Sequence, residues 1–313
     1  MSEMNKINFN HYKTGSVSGV CGLVKISEEL QSKTGNPYIN LTLYGEDNTK
    51  KQVAVFTKRE DFKIPEKTVI EATFSYKGDY LNISNIKAVE GGNINEYIKA
   101  VNGQEYYDKI IKTLDALNYE SDNITLYTLT KAVLNKHKKR LLVWPASEYM
   151  HHSYIGGFVF HLCNMMMNAY YLTDGRYNID REVVVCAALL SNICKLYTLD
   201  SDGFTSESNI YNFTYNNGEF SLKMVEDVKP NVEASGKKIN EDKFLNLSIC
   251  IKSYKGKGAW GSSITPLTEE AYLNFIIHSM DVNLDVYEEI RKKTEKGKLS
   301  DYSERLYTRV LNI

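Results

Sequence analysis

The sequence predicts an α+β multidomain chain in which an N-terminal OB-fold β-barrel is followed by an all-helical domain. Short apolar runs alternate with polar residues before residue 90, whereas the apolar period becomes helical from Ile94 onward. The 313 residues, 42% of them hydrophobic, suffice for about two domains with separate cores. We therefore predict a barrel domain at 1–90 and a helical domain at 91–313, joined by a Gly-containing linker at 90–93.

Five stretches rich in Val, Ile, Tyr and Phe predict the strands of the barrel, at 17–26, 38–44, 52–56, 68–74 and 80–86. Turn signals at 34–37 and 77–79 separate neighbouring strands. Five short strands in such a short segment are typical of a small barrel, and the OB-fold is the candidate.

The helical domain is predicted from apolar positions at helical spacing. These positions indicate helices around 110–117 and 126–134, two longer buried helices at 150–172 and 181–199, and helices at 241–254 and 268–293. Residues 200–240 are rich in Asn, Ser, Gly and Lys, so we expect loops there, with a short hairpin around Asn216-Asn217-Gly218.

Composition and charge narrow the class of protein. The formal net charge is -1, so a nucleic-acid site must be a local basic patch rather than the whole surface. The longest apolar run, 183–190, is far shorter than the roughly 20 residues of a membrane helix. The N-terminal segment is polar, and the 5 cysteines include no CxxC pair. We therefore expect a cytoplasmic protein with reduced thiols and no membrane association.

Aromatic and basic side chains give the predicted barrel a candidate face for single-stranded nucleic acid. OB barrels stack bases on exposed rings beside basic groups, each stacked base contributing about 1–3 kcal/mol. Alternating aromatic residues are equally expected in a barrel core, so each ring also has a purely structural alternative. The candidate binding residues are Lys33, Tyr38, Tyr44, Phe56, Tyr76, Lys77 and Tyr80.

Three closely spaced histidines, His151, His152 and His161, raise the question of a metal site in the helical domain. A hard-metal phosphohydrolase also needs carboxylates. The next apolar helix has none between 183 and 199, and it carries Ser191 and Asn192 instead. Packing and hydrogen bonding at a helix start is the alternative role of His151 and His152.

A basic run at 136–140, just before the histidines, is a candidate phosphate contact through Lys138 and Arg140. A solvated helix terminus is the alternative, because cations complement the dipole at the C-terminal end of a helix. The sequence leaves both roles open.

Several segments carry a resemblance to a known family. The HD-domain landmarks of YhaM-type 3'-5' exoribonucleases resemble PASEYMHHSYIGGFVFH, LLSNICKLY and SYKGKGAWGSSITPLTEEAYLNFIIHSMD. The OB strands of that family are similar to KTGNPYINLTL and FSYKGDYLNISNIKAV. The resemblance implies an OB-fold before an HD-like helical domain, and a divalent metal such as Mn²⁺ if the protein is an active enzyme.

Position by position, the resemblance leaves His161 as the one clear metal ligand. The His-Asp doublet that names the HD domain falls on Ser191 and Asn192, and the following Gly-Lys becomes Cys194 and Lys195. The remaining ligand positions fall on Lys223, Tyr254, Lys255 and His278, with Asp281 matching a second aspartate. Losing even an outer partner of a metal typically costs about 10–100-fold in affinity or activity. The resemblance thus implies a degenerate metal site, and no cofactor is expected.

We expect a protein that binds single-stranded RNA or DNA without cutting it, a pseudo-nuclease. His151, His152 and Lys195 are then contacts for the nucleic acid, since lysine ammonium groups favour phosphate. A metal-dependent 3'-5' exoribonuclease with an altered shell is one alternative, with His161 and His278 among its ligands. A second alternative is a metal-free catalyst, and a third is a scaffold that binds or inhibits a protein partner. Whether the protein forms a homo-oligomer is left open.

Overall fold

The structure is a computed structural model of the chain. It describes residues 5–12, 14–46, 49–78, 80–119, 126–148, 150–202 and 206–313, so part of the turn expected at 77–79 lies outside the described residues. The chain forms two compact units, Met1–Ala100 and Val101–Ile313. The first is built on strands and the second mainly on helices.

The first unit contains an antiparallel sheet of β1 (Thr14–Ile26), β2 (Leu30–Gln31), β3 (Pro37–Tyr44), β4 (Lys50–Val55), β5 (Thr68–Lys77) and β6 (Tyr80–Ala88). Hydrogen-bonded neighbours follow the order β2-β3-β1-β5-β6, and β4 pairs with β3. The predicted N-terminal β-structure is confirmed as an antiparallel sheet. Within the described residues, no ladder between β4 and β6 closes this sheet, so the OB barrel stays a prediction.

Cross-strand pairs bury one face of the sheet. Leu23 is opposite Leu43 across β1 and β3, and Phe74 is opposite Ile83 across β5 and β6. Leu23, Leu43 and Phe74 are fully buried, and Phe9 packs edge-on against Phe74 with 5.5 Å between ring centroids. The apolar residues that predict the strands therefore also form the core of this unit.

The second unit is mainly helical and includes a short hairpin of β7 (Leu199–Ser201) and β8 (Ser206–Ser208). The helices before the hairpin are α1 (Gly103–Tyr119), α2 (Leu126–Lys136), α3 (Lys138–Leu141), α4 (Gly157–Leu172), α5 (Arg181–Leu190) and α6 (Lys195–Thr198). The helices after it are α7 (Ile210–Thr214), α8 (Asn217–Glu226), α9 (Lys229–Ala234), α10 (Glu241–Ser253) and α11 (Glu269–Lys293).

The apolar run at 183–190 forms α5, the central helix of the second unit. Each of these side chains is fully buried, and α5 contacts α2, α4, α8, α10 and α11. The Asp180 side chain begins the helix by accepting a hydrogen bond from the N–H of Val183. A helix that is apolar on every side is expected to be surrounded by others, as this one is.

Four expectations about the helical unit are wrong in detail. The helix expected at 181–199 ends at Leu190 and is followed, after a turn, by α6, and residues 200–240, expected as loops, include the helices α7, α8 and α9. The helix expected at 150–172 begins only at Gly157, because Gly156 has a φ of 72° and the preceding segment is a loop. The hairpin expected around Asn216 is the start of α8. There the Asn216 side chain accepts hydrogen bonds from the N–H groups of Gly218 and Glu219.

No helix in the described part of the chain is both long and apolar enough to cross a bilayer. Cys21, Cys163, Cys186, Cys194 and Cys250 are all buried, and none forms a disulfide. Burial raises the pKa of the Cys186 and Cys250 thiols, so these side chains act as small apolar core groups.

Candidate functional site

A loop and the start of α4 bring three histidines together. The ring centroids of His151 and His161 lie 5.3 Å apart, and those of His152 and His161 lie 5.6 Å apart. All three side chains are buried. The loop can fold back onto α4 because Gly157 has no side chain, since a Cβ there would lie 2.0 Å from the carbonyl oxygen of His152.

One face of α11 adds three further polar side chains. His278, Asp281 and Asp285 follow one another at helical spacing and are all buried. The His278 ring centroid lies 5.8 Å from that of His161. We call the whole group the His–Asp cluster, which consists of His151, His152, His161, His278, Asp281 and Asp285.

Asp281 on α11 contacts both His152, in the loop before α4, and His161, on α4. Its Oδ2 atom lies 2.8 Å from Nε2 of His152 and 2.6 Å from Nδ1 of His161. A carboxylate accepts several hydrogen bonds, so it can satisfy both imidazole N–H groups away from water. This one side chain therefore fixes two imidazole rings.

Asp285 fixes both the backbone and the ring of His152. Its Oδ2 atom accepts a hydrogen bond from the His152 N–H at 3.0 Å, and its Oδ1 atom lies 3.2 Å from His152 Nδ1. His152 has a φ of 46°, in the left-handed region that non-glycine residues rarely adopt. Strained residues of this kind concentrate at functional sites, where the surrounding contacts determine them.

The aspartates set the protonation states of the His–Asp cluster. Burial lowers the pKa of His152, but the hydrogen bonds to both aspartates outweigh burial and raise that pKa to about 9. Burial raises the pKa of Asp281, yet the hydrogen bonds from His152 and His161 hold it well below its usual range. For His151, His161 and His278, burial is the largest effect and lowers the pKa. At neutral pH, His152 is therefore charged and these three imidazoles are neutral.

Ser191 and Asn192 lie directly after α5 and are fully buried. Ser191 Oγ accepts a hydrogen bond from Asn274 Nδ2 at 3.0 Å and donates one to the Ala187 carbonyl at 2.6 Å. Asn192 Nδ2 lies 3.5 Å from Nε2 of His161. The side of His161 away from its carboxylate partner thus faces a neutral amide.

Lys195 places a cation beside the His–Asp cluster. Its Nζ atom donates a hydrogen bond to the Ala146 carbonyl at 2.6 Å and lies 3.4 Å from Nε2 of His151. Burial and then the neighbouring charge of Lys255 lower the pKa of Lys195 to about 7. This ammonium group is consequently close to the midpoint of its titration at neutral pH.

The next two substituted family positions lie at the end of α10. Tyr254 is fully buried, and its ring packs edge-on against His278 with 4.9 Å between centroids. Burial lowers the pKa of Lys255 and raises that of the Tyr254 hydroxyl. This pair therefore brings an apolar ring and a second cation near the His–Asp cluster.

The remaining predicted residues of the helical unit contact other groups. Lys223 is exposed on α8, where its ammonium lies 3.6 Å from the Asp227 carboxylate. Lys138 lies over the Tyr107 ring, 4.7 Å from its centroid. Arg140 donates a hydrogen bond from Nη1 to a main-chain carbonyl of α6 at 2.7 Å, so the basic run packs against α6.

The aromatic residues predicted for the sheet divide into two groups. Tyr44 and Tyr76 are buried, and burial raises the pKa of Tyr76 to about 12, so their rings have little surface left for stacking. Tyr38 lies beside the exposed Phe56, with 5.8 Å between ring centroids. Tyr80 is exposed as well.

The basic residues predicted for the sheet lie at its surface. Lys33 is exposed in the turn before β3. Lys77 is also exposed, and it is paired with Tyr80 across the β5–β6 hairpin. The structure therefore brings Lys77 and Tyr80 together as a cross-strand pair.

The His–Asp cluster contains one group that can hold a metal ion. One ligand atom from each of His152, His161 and Asp281 lies within 4.8 Å of the others, whereas His278 is not part of this group. Among the described residues, His151 Nδ1 and Asn192 Oδ1 are buried without hydrogen-bond partners. Two imidazoles and one carboxylate fit a single transition ion. Neutral Ser191 and Asn192 do not provide the carboxylates that a second hard ion requires.

The sequence marks Asp281 only as a matching aspartate and gives no prediction for Asp285 or Asn274. The signal for the aspartates is their spacing with His278, which places all three on one face of a helix. Asn274 lies one turn earlier on the same helix, and its amide contacts Ser191. For their partners, His161 in α4 and Ser191 directly after α5, the sequence gives no signal of a contact with α11.

The chain is similar in sequence to curated 3'-5' exoribonucleases. It is 25% identical over 309 residues to the 3'-5' exoribonuclease YhaM of Listeria welshimeri, covering 95% of this chain and 94% of that protein. It is 23% identical over 296 residues to the enzyme of the same name from Bacillus subtilis, covering 91% and 90%. No protein-family model and no solved structure matches the chain. The resemblance to the YhaM-type family is therefore confirmed, and it extends over nearly the whole chain.

Proposed function

We propose that this protein binds single-stranded RNA and lacks two-metal phosphodiester hydrolysis. The observation that carries the proposal is the buried neutral pair Ser191 and Asn192, of which Asn192 lies 3.5 Å from His161. A hydroxyl and an amide are weak ligands for a hard divalent ion, which prefers carboxylates. The relatives are named 3'-5' exoribonucleases, and this supports RNA as the ligand. The free, buried cysteines support a cytoplasmic protein.

For the first unit, we propose an OB-fold that stacks bases on its exposed rings. Its strand order places β1 between β3 and β5, as an OB-fold requires. Tyr38, Phe56 and Tyr80 keep exposed or half-buried rings, and Lys33 and Lys77 supply positive charge. Stacking on such rings is tolerant of base sequence, because every base has a π-face.

For the second unit, we propose that Lys195 binds phosphate. Its ammonium lies beside His151, in a region where Lys255 adds a second positive charge. Lysine binds phosphate as a compact point charge and needs no metal to do so. His151 is a neutral hydrogen-bonding neighbour in this arrangement, while the charge of His152 is balanced by the aspartates.

The binding proposal is tested by fluorescence anisotropy with labelled single-stranded RNA, the matching single-stranded DNA and a duplex RNA. We expect salt-dependent binding of single strands, weakened by Tyr80→Ala and by Lys77→Gln. Tyr177→Ala is the matched control, because this ring is fully exposed and lies in the helical unit. Equal affinity of wild type and the sheet variants would remove the first unit from the RNA site.

A second candidate function is a metal-dependent 3'-5' exoribonuclease with an altered ligand set, favoured by the group of His152, His161 and Asp281. These residues would hold a single ion, which polarises phosphate and lowers the pKa of bound water when it is present. His152 would have to release the proton that it shares with Asp281. Metal analysis of purified protein, repeated on His161→Ala, distinguishes this function from the main proposal.

A further inference from the structure

A row of aromatic rings crosses the surface of the helical unit at α6, α7 and the start of α8. Ring centroids are 6.0 Å apart for Tyr211 and Tyr215, 5.2 Å for Tyr215 and Phe220, and 6.4 Å for Phe220 and Tyr197. The ring planes of the first pair and of the second pair are tilted by 40° and 33° to one another. We call Tyr197, Tyr211, Tyr215 and Phe220 the aromatic strip.

The α7 end of the aromatic strip is exposed in a way that packing does not explain, whereas Phe220 is half-buried and packs against the core of the unit. No side chain of α7 is buried, although this short helix carries the large apolar residues Ile210, Tyr211 and Phe213. Within the strip, Tyr211 is 49% exposed and Tyr215 is 53% exposed, and the neighbouring Phe213 is 75% exposed. Folded proteins rarely leave a contiguous apolar surface of this kind in water unless it binds a partner.

Positive charge lies at one end of the aromatic strip. The Arg140 guanidinium is 4.7 Å from the centroid of the Tyr197 ring and 5.2 Å from that of Trp144. Its Nη1 donates a hydrogen bond to the Leu196 carbonyl, and this contact holds the charge beside the rings. No carboxylate within the described residues forms an ion pair with Arg140, and Lys138 and Lys139 precede it in the same run.

The aromatic strip and the neighbours of the His–Asp cluster share one short helix. Tyr197 and Lys195 belong to the same short helix, α6, and Lys195 contacts His151. The Tyr197 hydroxyl lies 3.2 Å from Nδ1 of His137, which is neutral at pH 7 because burial and then Lys136 lower its pKa to about 4. Tilted aromatic rings and a guanidinium therefore lie together on this surface.

We infer that the aromatic strip and Arg140 form a binding track for single-stranded RNA in the helical unit, with bases stacked on the rings and phosphates near Arg140. This inference rests on the proposed function and extends it to a second surface. Successive aromatic rings beside basic groups are the arrangement that binds single strands without sequence preference. The arginine favours a polyanion over a neutral or cationic partner.

The track is tested by anisotropy with two labelled probes, a 12-nucleotide oligouridine and a 12-unit abasic strand with the same phosphates. Tyr215→Ala and Tyr211→Ala are expected to weaken oligouridine binding about 5-fold or more each, while affinity for the abasic strand is unchanged. Tyr215→Phe keeps the ring and is expected to retain wild-type affinity. Arg140→Gln is expected to weaken both probes and to reduce the salt slope by about one unit.

Tyr177→Ala is the matched control, since Tyr177 is 101% exposed and lies outside the strip. Wild-type protein that binds oligouridine, with strip variants indistinguishable from this control, would overturn the track and leave the proposed function intact. Absence of binding by wild-type protein would overturn both. Unchanged RNA affinity together with altered self-association in sedimentation would assign the strip to a protein contact and would likewise overturn the track. Thermal unfolding of each variant establishes that it is folded.

Discussion

His161 Nδ1 lies 2.6 Å from Asp281 Oδ2, which joins a buried imidazole of α4 to a carboxylate of α11. The same oxygen lies 2.8 Å from Nε2 of His152. Asp281 is therefore the shared partner of two histidines rather than one ligand in a ring of carboxylates. The consequence is a site held together by an ion pair, with a neutral amide on the other side of His161.

Removing the Asp281 carboxylate should destabilise the protein strongly. In Asp281→Ala, the positive charge of His152 loses its closest partner while it stays buried, and breaking such a pair costs about 3–5 kcal/mol. Urea unfolding at pH 7 measures the change in the free energy of unfolding. Glu226→Ala, an exposed acid on α8, is the control and should change this free energy by less than about 0.5 kcal/mol. Equal effects of the two substitutions would refute the ion-pair assignment.

The contribution of His152 to stability should depend on pH with a defined sign. Its pKa is raised from 6.5 to about 9, so its contribution is complete below pH 6.5 and is lost as the pH rises through 9. Lys195, whose pKa is lowered to about 7, has the opposite dependence above pH 7. Subtracting the free energy of unfolding of His152→Gln from that of the wild type removes the contribution of Lys195, because both proteins contain this residue. That difference should shrink by on the order of 3 kcal/mol between pH 6.5 and 9. Urea unfolding at several pH values tests this, and a constant difference would contradict it.

RNA affinity should fall as the pH rises from 6 to 8, because Lys195 loses its proton around pH 7. If Lys195 contacts phosphate, its deprotonation should weaken binding about 10-fold, the effect of one hydrogen bond to a charged group. Lys195→Arg keeps the charge over this range and should flatten the profile. Anisotropy at constant ionic strength provides the measurement. Parallel pH profiles for the two proteins would exclude Lys195 as the phosphate contact.

Restoring one carboxylate should restore affinity for a divalent ion. Asn192→Asp replaces the amide next to His161 Nε2 with an oxygen ligand of the same shape. We expect Mn²⁺ affinity to rise by about 10–100-fold, the usual effect of a metal-supporting residue. Isothermal titration calorimetry measures this change. Asn274→Asp is the control, because Asn274 contacts Ser191 instead of a histidine. An equal rise in both variants would indicate a general charge effect.

Local patterns predict much of the fold. The helices expected at 241–254 and 268–293 are observed as Glu241–Ser253 and Glu269–Lys293, each begun by a side chain that caps the first turn, Asn240 and Thr268. The expected strands also correspond to β1, β3, β4, β5 and β6. These elements are predictable because apolar period and capping are both local properties of the chain.

The site is less predictable, because it depends on contacts between distant segments. The spacing of the histidines marks them as a group, but their partner Asp281 lies on another helix, and the resemblance assigns the closing ligand position to His278. The loop that carries His152 requires a left-handed backbone, which histidine does not favour. Likewise, the aromatic strip arises only when α6, α7 and α8 come together, because Phe220 of α8 joins Tyr215 to Tyr197.

RNA binding without cleavage can be examined in one experiment on purified wild-type protein. A 3'-labelled and a 5'-labelled single-stranded RNA are titrated with and without Mn²⁺, while anisotropy and strand length are followed on the same samples. The proposed function predicts saturable binding with strands of unchanged length under both conditions. Metal-dependent shortening from the 3' end, lost in His161→Ala, would contradict it and establish the exoribonuclease alternative.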